Sequence, residues 1–353
     1  MRVVVTGISG SGRNEYVKSL VDYARGLGKD IKVFEVGNMM FSLAESLGIK
    51  ILEGKILDLS TSTLNYLRTT VFERILRESK EHEDVIVSTH ACFRWRRHLL
   101  QGLDFYYLNL FNPDIYVSVV DEVVPTCLRL EKSSQWRSRL SLLDILTWRD
   151  EEVFLTKSIA DFQRRPFYVV PRKDHPETLY KLMYNRDAKK IYLSYPITHL
   201  RDDRDLLSTK DRFRERLRSL GFIVFDPGQI DDVSYLDHML KAKEAGEEFA
   251  DFESEGVAFK VELRGLQKIR ESIYDQIVAR DYQLIDQSDL LVVYYQTQVM
   301  SPGVLSEMSY GFSNNKDVLV VFKGPESPFF HYYSTKIFRD EEEILSFLIE
   351  GSG

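Results

Sequence analysis

Along the first half of the chain, short runs of consecutive apolar residues alternate with stretches in which apolar positions recur every three or four residues. The first pattern belongs to strands buried on both faces and the second to amphipathic helices, so their alternation points to a parallel α/β sheet. Val3 to Thr6 reads as the opening strand, and Val17, Leu20, Val21 and Ala24 then fall on one helical stripe. Ile31 to Glu35, Val85 to Ser88, Ile115 to Val120 and Phe167 to Val170 are further strands, separated by enough residues for crossover helices. One doubly wound domain over residues 1–183 accounts for all of them.

Tyr184-Asn185-Arg186-Asp187-Ala188-Lys189-Lys190 has no periodicity and precedes a fresh strand, Ile191 to Tyr195. Residues 184–189 are therefore read as a linker and 190–353 as a second doubly wound α/β domain. Its predicted elements are a helix around Leu206 to Leu220, a strand Phe222 to Phe225 ending at Asp226-Pro227-Gly228, a long helix near Ile269 to Gln287, a strand Leu290 to Tyr295, a helix from Pro302 and a strand Val318 to Phe322. The charged, helix-prone segment 229–268, with Lys241-Ala242-Lys243-Glu244-Ala245-Gly246-Glu247-Glu248, is not required by that sheet and reads as an insertion, with a solvated excursion favoured over a lid or a dimer contact.

Composition narrows the function. With 47 Lys and Arg against 54 Asp and Glu, the chain has no broad basic footprint for a nucleic-acid polymer. Two cysteines, Cys92 and Cys127, cannot build a disulfide framework, and no Cys/His cluster has zinc spacing, so no metal site is expected and a reduced cytoplasm is the expected setting. No apolar run approaches the length of a membrane span.

In the second domain, Ile269, Ile273 and Ile277 mark a helical stripe whose next position is Asp281, a carboxylate where an apolar residue would be cheaper. After the strand Leu290 to Tyr295, Ser301-Pro302-Gly303-Val304 has the signature of a helix start, with Ser as N-cap and Pro in the first turn. Glu307 follows in the second turn. Crossings of this kind, at the carboxyl end of a parallel strand, are where open α/β sheets hold ligands.

Four segments in register, Lys190-Ile191-Tyr192-Leu193-Ser194-Tyr195-Pro196-Ile197-Thr198, Gly221-Phe222-Ile223-Val224-Phe225-Asp226-Pro227, Arg280-Asp281 with Ser288-Asp289, and Pro302-Gly303-Val304-Leu305-Ser306-Glu307-Met308-Ser309-Tyr310-Gly311, resemble the nucleoside 2-deoxyribosyltransferase family over about residues 190–325. The resemblance implies a flavodoxin- or Rossmann-like sheet and a site that cleaves or transfers the N-glycosidic bond of a nucleoside or nucleoside 5'-monophosphate. Glu307 would be the nucleophile and Asp281 its partner, since an oxocarbenium-like state can be stabilised or trapped by a carboxylate. Tyr192, Ser301, Gly303, Asp289 and Arg201 would meet the substrate. Ser301 stands where the transferases carry Asp, which is closer to the nucleoside 5'-monophosphate N-glycosidases of the same superfamily and favours hydrolysis. The resemblance further implies a homo-oligomer and no cofactor for glycosidic cleavage.

The first domain opens with Gly7-Ile8-Ser9-Gly10-Ser11-Gly12-Arg13-Asn14 between a strand and a helix, the setting of a phosphate-binding P-loop. Gly7, Gly10, Gly12, Arg13 and Asn14 are its candidate ligand residues. The usual loop has Lys where Arg13 stands and Ser or Thr where Asn14 stands; Arg13 keeps the charge, whereas Asn14 is a poorer magnesium ligand. Together with Ser88-Thr89-His90 and Asn112-Pro113-Asp114, the loop resembles archaeal-type adenylate kinases over about residues 1–183, with Arg129, Arg137 and Arg139 falling where such kinases keep lid arginines. ATP and magnesium are the cofactors this implies. Two readings rival glycosidic chemistry: a nucleotide kinase with an accessory C-terminal domain, and a non-catalytic nucleotide sensor.

Overall fold

The computed structural model describes every residue except 97, 198–200, 202, 255, 298, 325–326 and 351–353, together with the side chain of Ser254. Thr198, His199 and Leu200 lie outside the described residues. Two compact units emerge: Met1–Leu179 with Ile230–Gln276, and Tyr180–Gln229 with Ile277–Gly353.

In the first unit the strands β1 (Arg2–Thr6), β2 (Lys32–Glu35), β3 (Val85–Ser88), β6 (Ile115–Val120) and β7 (Phe167–Pro171) form one sheet in the order β2-β3-β1-β6-β7. All four pairings are parallel. Val3, Val4, Val5, Ile86 and Val87 are fully buried, as a sheet covered on both faces by helices requires. The helix Arg13–Gly26 turns Tyr16, Val17, Leu20 and Ala24 inward on the stripe expected from sequence. A short antiparallel hairpin, β4 (Cys92–Trp95) with β5 (His98–Gln101), follows β3.

The connection leaving β1 runs to β2 on one side, and that leaving β3 runs past β1 to β6 on the other. The carboxyl ends of the adjacent strands β1 and β3 therefore bound a crevice at the switch in winding direction, the usual ligand position in such sheets.

The second unit repeats the principle. Strands β8 (Lys190–Ser194), β9 (Ile223–Phe225), β12 (Leu290–Tyr295), β13 (Asp317–Phe322) and β14 (Lys336–Phe338) pair in parallel in the order β14-β13-β12-β8-β9, with the winding reversing between β8 and β12. The three-residue β14 extends the four-stranded sheet read from sequence. One core gathers Ile191, Leu193, Phe213, Leu217, Val292 and Ile344 among others.

The segment 229–268, read from sequence as an insertion in the second domain, falls but for its first residue within residues 230–276, which pack in the first unit. They comprise a helix, Asp232–Glu244, the antiparallel hairpin β10 (Phe249–Ser254) with β11 (Val257–Glu262), and the start of a helix, Leu266–Asp286. Arg149 anchors them through Asp232 Oδ2 at 2.7 Å and Gln276 Oε1 at 2.6 Å, all three residues being buried. A buried carboxylate needs such a partner.

Candidate functional site

The glycine loop leaves β1 at Thr6 and enters the helix Arg13–Gly26 with Gly12 as N-cap. Gly10 and Gly12 take left-handed backbone, φ 80° and 73°, which a side chain would strain. Space forbids one as well: a Cβ on Gly12 would meet Arg172 Nε at 1.9 Å, and one on Gly10 would meet the Thr126 carbonyl oxygen at 2.8 Å. Arg172 thus lies directly against the loop.

The carboxylates around the loop hold its N–H groups and arginines, while Ser11 Oγ, Asp121 Oδ1 and Arg172 Nε are buried with no hydrogen-bond partner among the described residues. Glu152, from the helix Leu142–Phe162, accepts from the Gly7 N–H at 3.0 Å and from the Ala91 and Cys92 N–H groups at 2.7 and 2.9 Å, tying the loop's start to the end of β3. Burial pushes its carboxyl up, and those amides and Arg13 draw it back. Asp121, at the end of β6, holds the Arg129 guanidinium and faces Arg172 at 3.8 Å, while Arg129 Nε also donates to the Gly10 carbonyl.

Arg13 is buried and folded inward. Its Nη1 donates to the carbonyls of Gly7, at 3.0 Å, and Thr89, and its Nε donates to Asn14 Oδ1 at 3.1 Å. Nη2 faces His90 Nε2 at 3.4 Å. Burial lowers the guanidinium pKa to about 10, leaving Arg13 charged at neutral pH, and burial together with that charge holds His90 well below the ordinary histidine value. Asn14 Oδ1 also accepts from Ser88 Oγ at 2.9 Å, so one hydrogen bond ties the end of β3 to the first turn of the helix that follows the loop.

Of the arginines expected at the lid, Arg129 reaches the loop. Arg137 instead donates to the Glu131 carbonyl at 3.1 Å, and Arg139 sits over the Trp95 ring at 5.6 Å. Arg172, Glu152 and Asp121 were not among the residues singled out from sequence. An Arg just past a buried strand, or a Glu within an amphipathic helix, carries no distinguishing pattern.

In the second unit, Glu307 and Ser194 meet across the corresponding crevice, Ser194 Oγ donating to Glu307 Oε2 at 2.5 Å. Burial pushes the Glu307 carboxyl up to about 8, Asp281 adds to the shift, and Ser194 opposes it. Burial likewise raises Asp281 to about 6, with Arg280, whose Nε lies 3.5 Å from Asp281 Oδ1, pulling it back. Tyr192 is fully buried, and its hydroxyl faces the Glu307 carboxyl. Burial, then the charges of Asp281 and Glu307, raise it well above the ordinary tyrosine value.

Ser301 caps the helix Pro302–Ser313, accepting from the Val304 N–H at 3.5 Å, and its own N–H donates to the Tyr295 hydroxyl. A Cβ on Gly303 would meet nothing nearer than Ser301 Oγ at 3.8 Å, so the protein's own packing does not demand glycine there. Arg201 is half-buried, its N–H donating to the Ile197 carbonyl at 3.0 Å.

Asp289 is not brought to the crevice. It pairs with Lys190, accepting from the backbone N–H at 2.7 Å and from Nζ at 2.9 Å. The register Leu290↔Ile191 and Val293↔Ser194 puts it at the amino end of the strands, about 13 Å of strand rise from Ser194. A feature that sequence did not single out lies on the other flank: buried Asp226 Oδ2 accepts from Lys210 Nζ and Arg214 Nη1, each at 2.7 Å, and Oδ1 accepts from the Tyr195 hydroxyl and the Gly228 N–H, each at 2.9 Å. Against the upward push of burial, Lys210 and Arg214 hold Asp226 down at about 2.

Comparison with known proteins bears on the first unit. A family model described as an AAA domain matches residues 6–143. An adenylate kinase from Methanococcus vannielii is 29% identical over 117 residues, covering 33% of this chain and 60% of that protein. One from Methanocaldococcus jannaschii is 25% identical over 161 residues, covering 45% of this chain and 80% of that protein. Among solved structures, a shikimate kinase from Bacteroides thetaiotaomicron aligns at a TM-score of 0.33 with 14% identity, over 53% of this chain and 97% of that one.

The chain thus carries a P-loop, nucleotide-kinase-like α/β domain. The expectation of a nucleoside N-glycosidase or 2-deoxyribosyltransferase is corrected: the relatives found are kinases.

Proposed function

We propose that the first unit binds the phosphate chain of an adenine nucleotide in the loop Gly7–Asn14, as a nucleotide-binding domain of the adenylate-kinase type. The observation that carries this reading is the position of the loop: it leaves the carboxyl end of β1 at the switch in winding direction, opens a helix at Arg13, and has Arg172 lying against Gly12. The first N–H groups of a helix have no partner within it and attract anions. Arg129 and Arg172, both partly exposed, add charge at the same place. The likeness to adenylate kinases supports adenine nucleotides as the ligand class.

In this reading the second unit is accessory. Its crevice, where Glu307, Ser194, Asp281 and Tyr192 gather buried polar groups, is proposed as a separate place for a small polar ligand, since burying polar groups away from water is costly.

Calorimetric titration of ATP, ADP and AMP into the full chain and into the Arg172→Ala variant tests the proposal. Saturable binding that weakens by about tenfold in the variant is expected, roughly one charge-assisted hydrogen bond's worth. Absence of binding by all three nucleotides would refute the reading.

A further inference from the structure

Magnesium is the ion that a P-loop kinase domain implies, held by the loop's Ser or Thr and by an Asp at the end of a neighbouring strand. Here the two corresponding places hold Asn14 and Ser88, the latter at the carboxyl end of the adjacent strand β3. Magnesium needs oxygen ligands in near-octahedral geometry and is commonly anchored by carboxylate. The one amide oxygen that Asn14 offers already accepts from Ser88 Oγ at 2.9 Å and from Arg13 Nε at 3.1 Å. A fixed guanidinium therefore stands against the atom a metal would take, and like charges repel.

The nearby carboxylates, Glu152 and Asp121, already face other groups, with Asp121 Oδ1 the one oxygen of this pair left without a hydrogen-bond partner among the described residues. Glu152 is saturated by three backbone N–H groups, and Asp121 faces Arg129 and Arg172. The residues present do not fit magnesium.

Resting on the nucleotide-binding reading of the same loop, we infer that the first unit binds its nucleotide without a divalent cation, with Arg13, Arg129 and Arg172 supplying the positive charge that the metal supplies in a kinase. Arg13 is the fixed part of that charge, held at four acceptor atoms by its planar fork. Arg129 and Arg172 are the part open to the ligand, with side chains 23% and 33% exposed.

The test titrates ATP into the full chain in excess EDTA and in excess magnesium chloride. Dissociation constants within about threefold of each other, or tighter binding in EDTA, are expected. Binding that is about tenfold or more tighter with magnesium overturns the inference and leaves the nucleotide reading standing; no binding under either condition overturns both.

A second arm uses the double variant Asn14→Thr, Ser88→Asp, which restores a hydroxyl and a carboxylate to the two positions. Folded double variant should gain about tenfold tighter ATP binding on addition of magnesium. A folded variant with no such gain overturns the assignment of positions 14 and 88. If the variant does not fold, the comparison on the unmodified chain decides the matter.

Discussion

Asn14 and Ser88 lie 74 residues apart in sequence and share a hydrogen bond of 2.9 Å, Ser88 Oγ at the carboxyl end of β3 donating to Asn14 Oδ1 in the first turn of the helix Arg13–Gly26. Arg13 Nε donates to the same oxygen at 3.1 Å. The chain retains the frame of a phosphate-binding loop and departs from it at the two positions that serve the metal.

Phosphoryl transfer from ATP to AMP should accordingly be absent. Turnover at least about a thousandfold below the ~1–100 s⁻¹ usual for kinases is expected, with or without magnesium. Chromatographic detection of ADP formed from ATP and AMP measures it, and turnover in the usual kinase range would show that the unit supports transfer despite Asn14 and Ser88.

Gly12→Ala should damage the loop doubly. The backbone at φ 73° disfavours a side chain, and the new Cβ would run into Arg172. A loss of about 1–3 kcal/mol in stability is expected from the strained backbone, with nucleotide binding reduced together with it. Chemical denaturation and ATP titration of the same preparation measure the two effects; an unchanged denaturation midpoint would contradict the left-handed backbone.

Glu152 satisfies three buried N–H groups and faces the charge of buried Arg13. Glu152→Ala strands those donors and should cost about 3–5 kcal/mol, the usual penalty for breaking a buried charged network. Urea denaturation checks this. A loss below about 1 kcal/mol would mean that the loop does not depend on this carboxylate.

Glu307 gives a stability change with a definite sign. Burial raises its folded pKa to about 8 from an ordinary value of 4.5, so the folded state holds a proton that the unfolded chain releases. The resulting stability is fully present below pH 4.5, declines as pH rises, and is lost through about pH 8. Asp226, held down at about 2 against an ordinary 3.8, acts in the opposite sense: its contribution is present above pH 3.8 and lost as pH falls through about 2. Denaturation at pH 6 and pH 9 should therefore show weaker stability at the higher pH, by on the order of a few kcal/mol, with Glu307→Gln removing most of the difference. A difference that survives in the variant would place its origin elsewhere.

Much of the frame was legible because buried parallel strands write themselves as continuous apolar runs. Val3 to Thr6, Val85 to Ser88, Ile115 to Val120 and Leu290 to Tyr295 coincide with β1, β3, β6 and β12 to within a residue. The hairpin β10–β11 escaped because its exposed face carries the charge: Asp251 and Lys260 stand opposite each other and form an ion pair of 3.2 Å, so a sequence reader sees a solvated segment. Asp281 was visible as a carboxylate on an apolar stripe, and it is buried. Asp289 misled because adjacency to a strand does not say which end faces the crevice; its partner Lys190 marks the amino end. Arg172 and Glu152 belong to the loop only through tertiary contact, and single residues of common type leave no local trace. The glycosidic reading rested on motif resemblance in the second unit, whereas the relatives found are kinases.

The most direct test of nucleotide binding at the glycine loop is amide hydrogen exchange of the full chain with and without saturating ATP. Added protection at amides within residues 8–15, with none in residues 295–311 of the second unit, is the expected result. Exchange in residues 8–15 that ignores ATP, or protection confined to residues 295–311, would contradict the account.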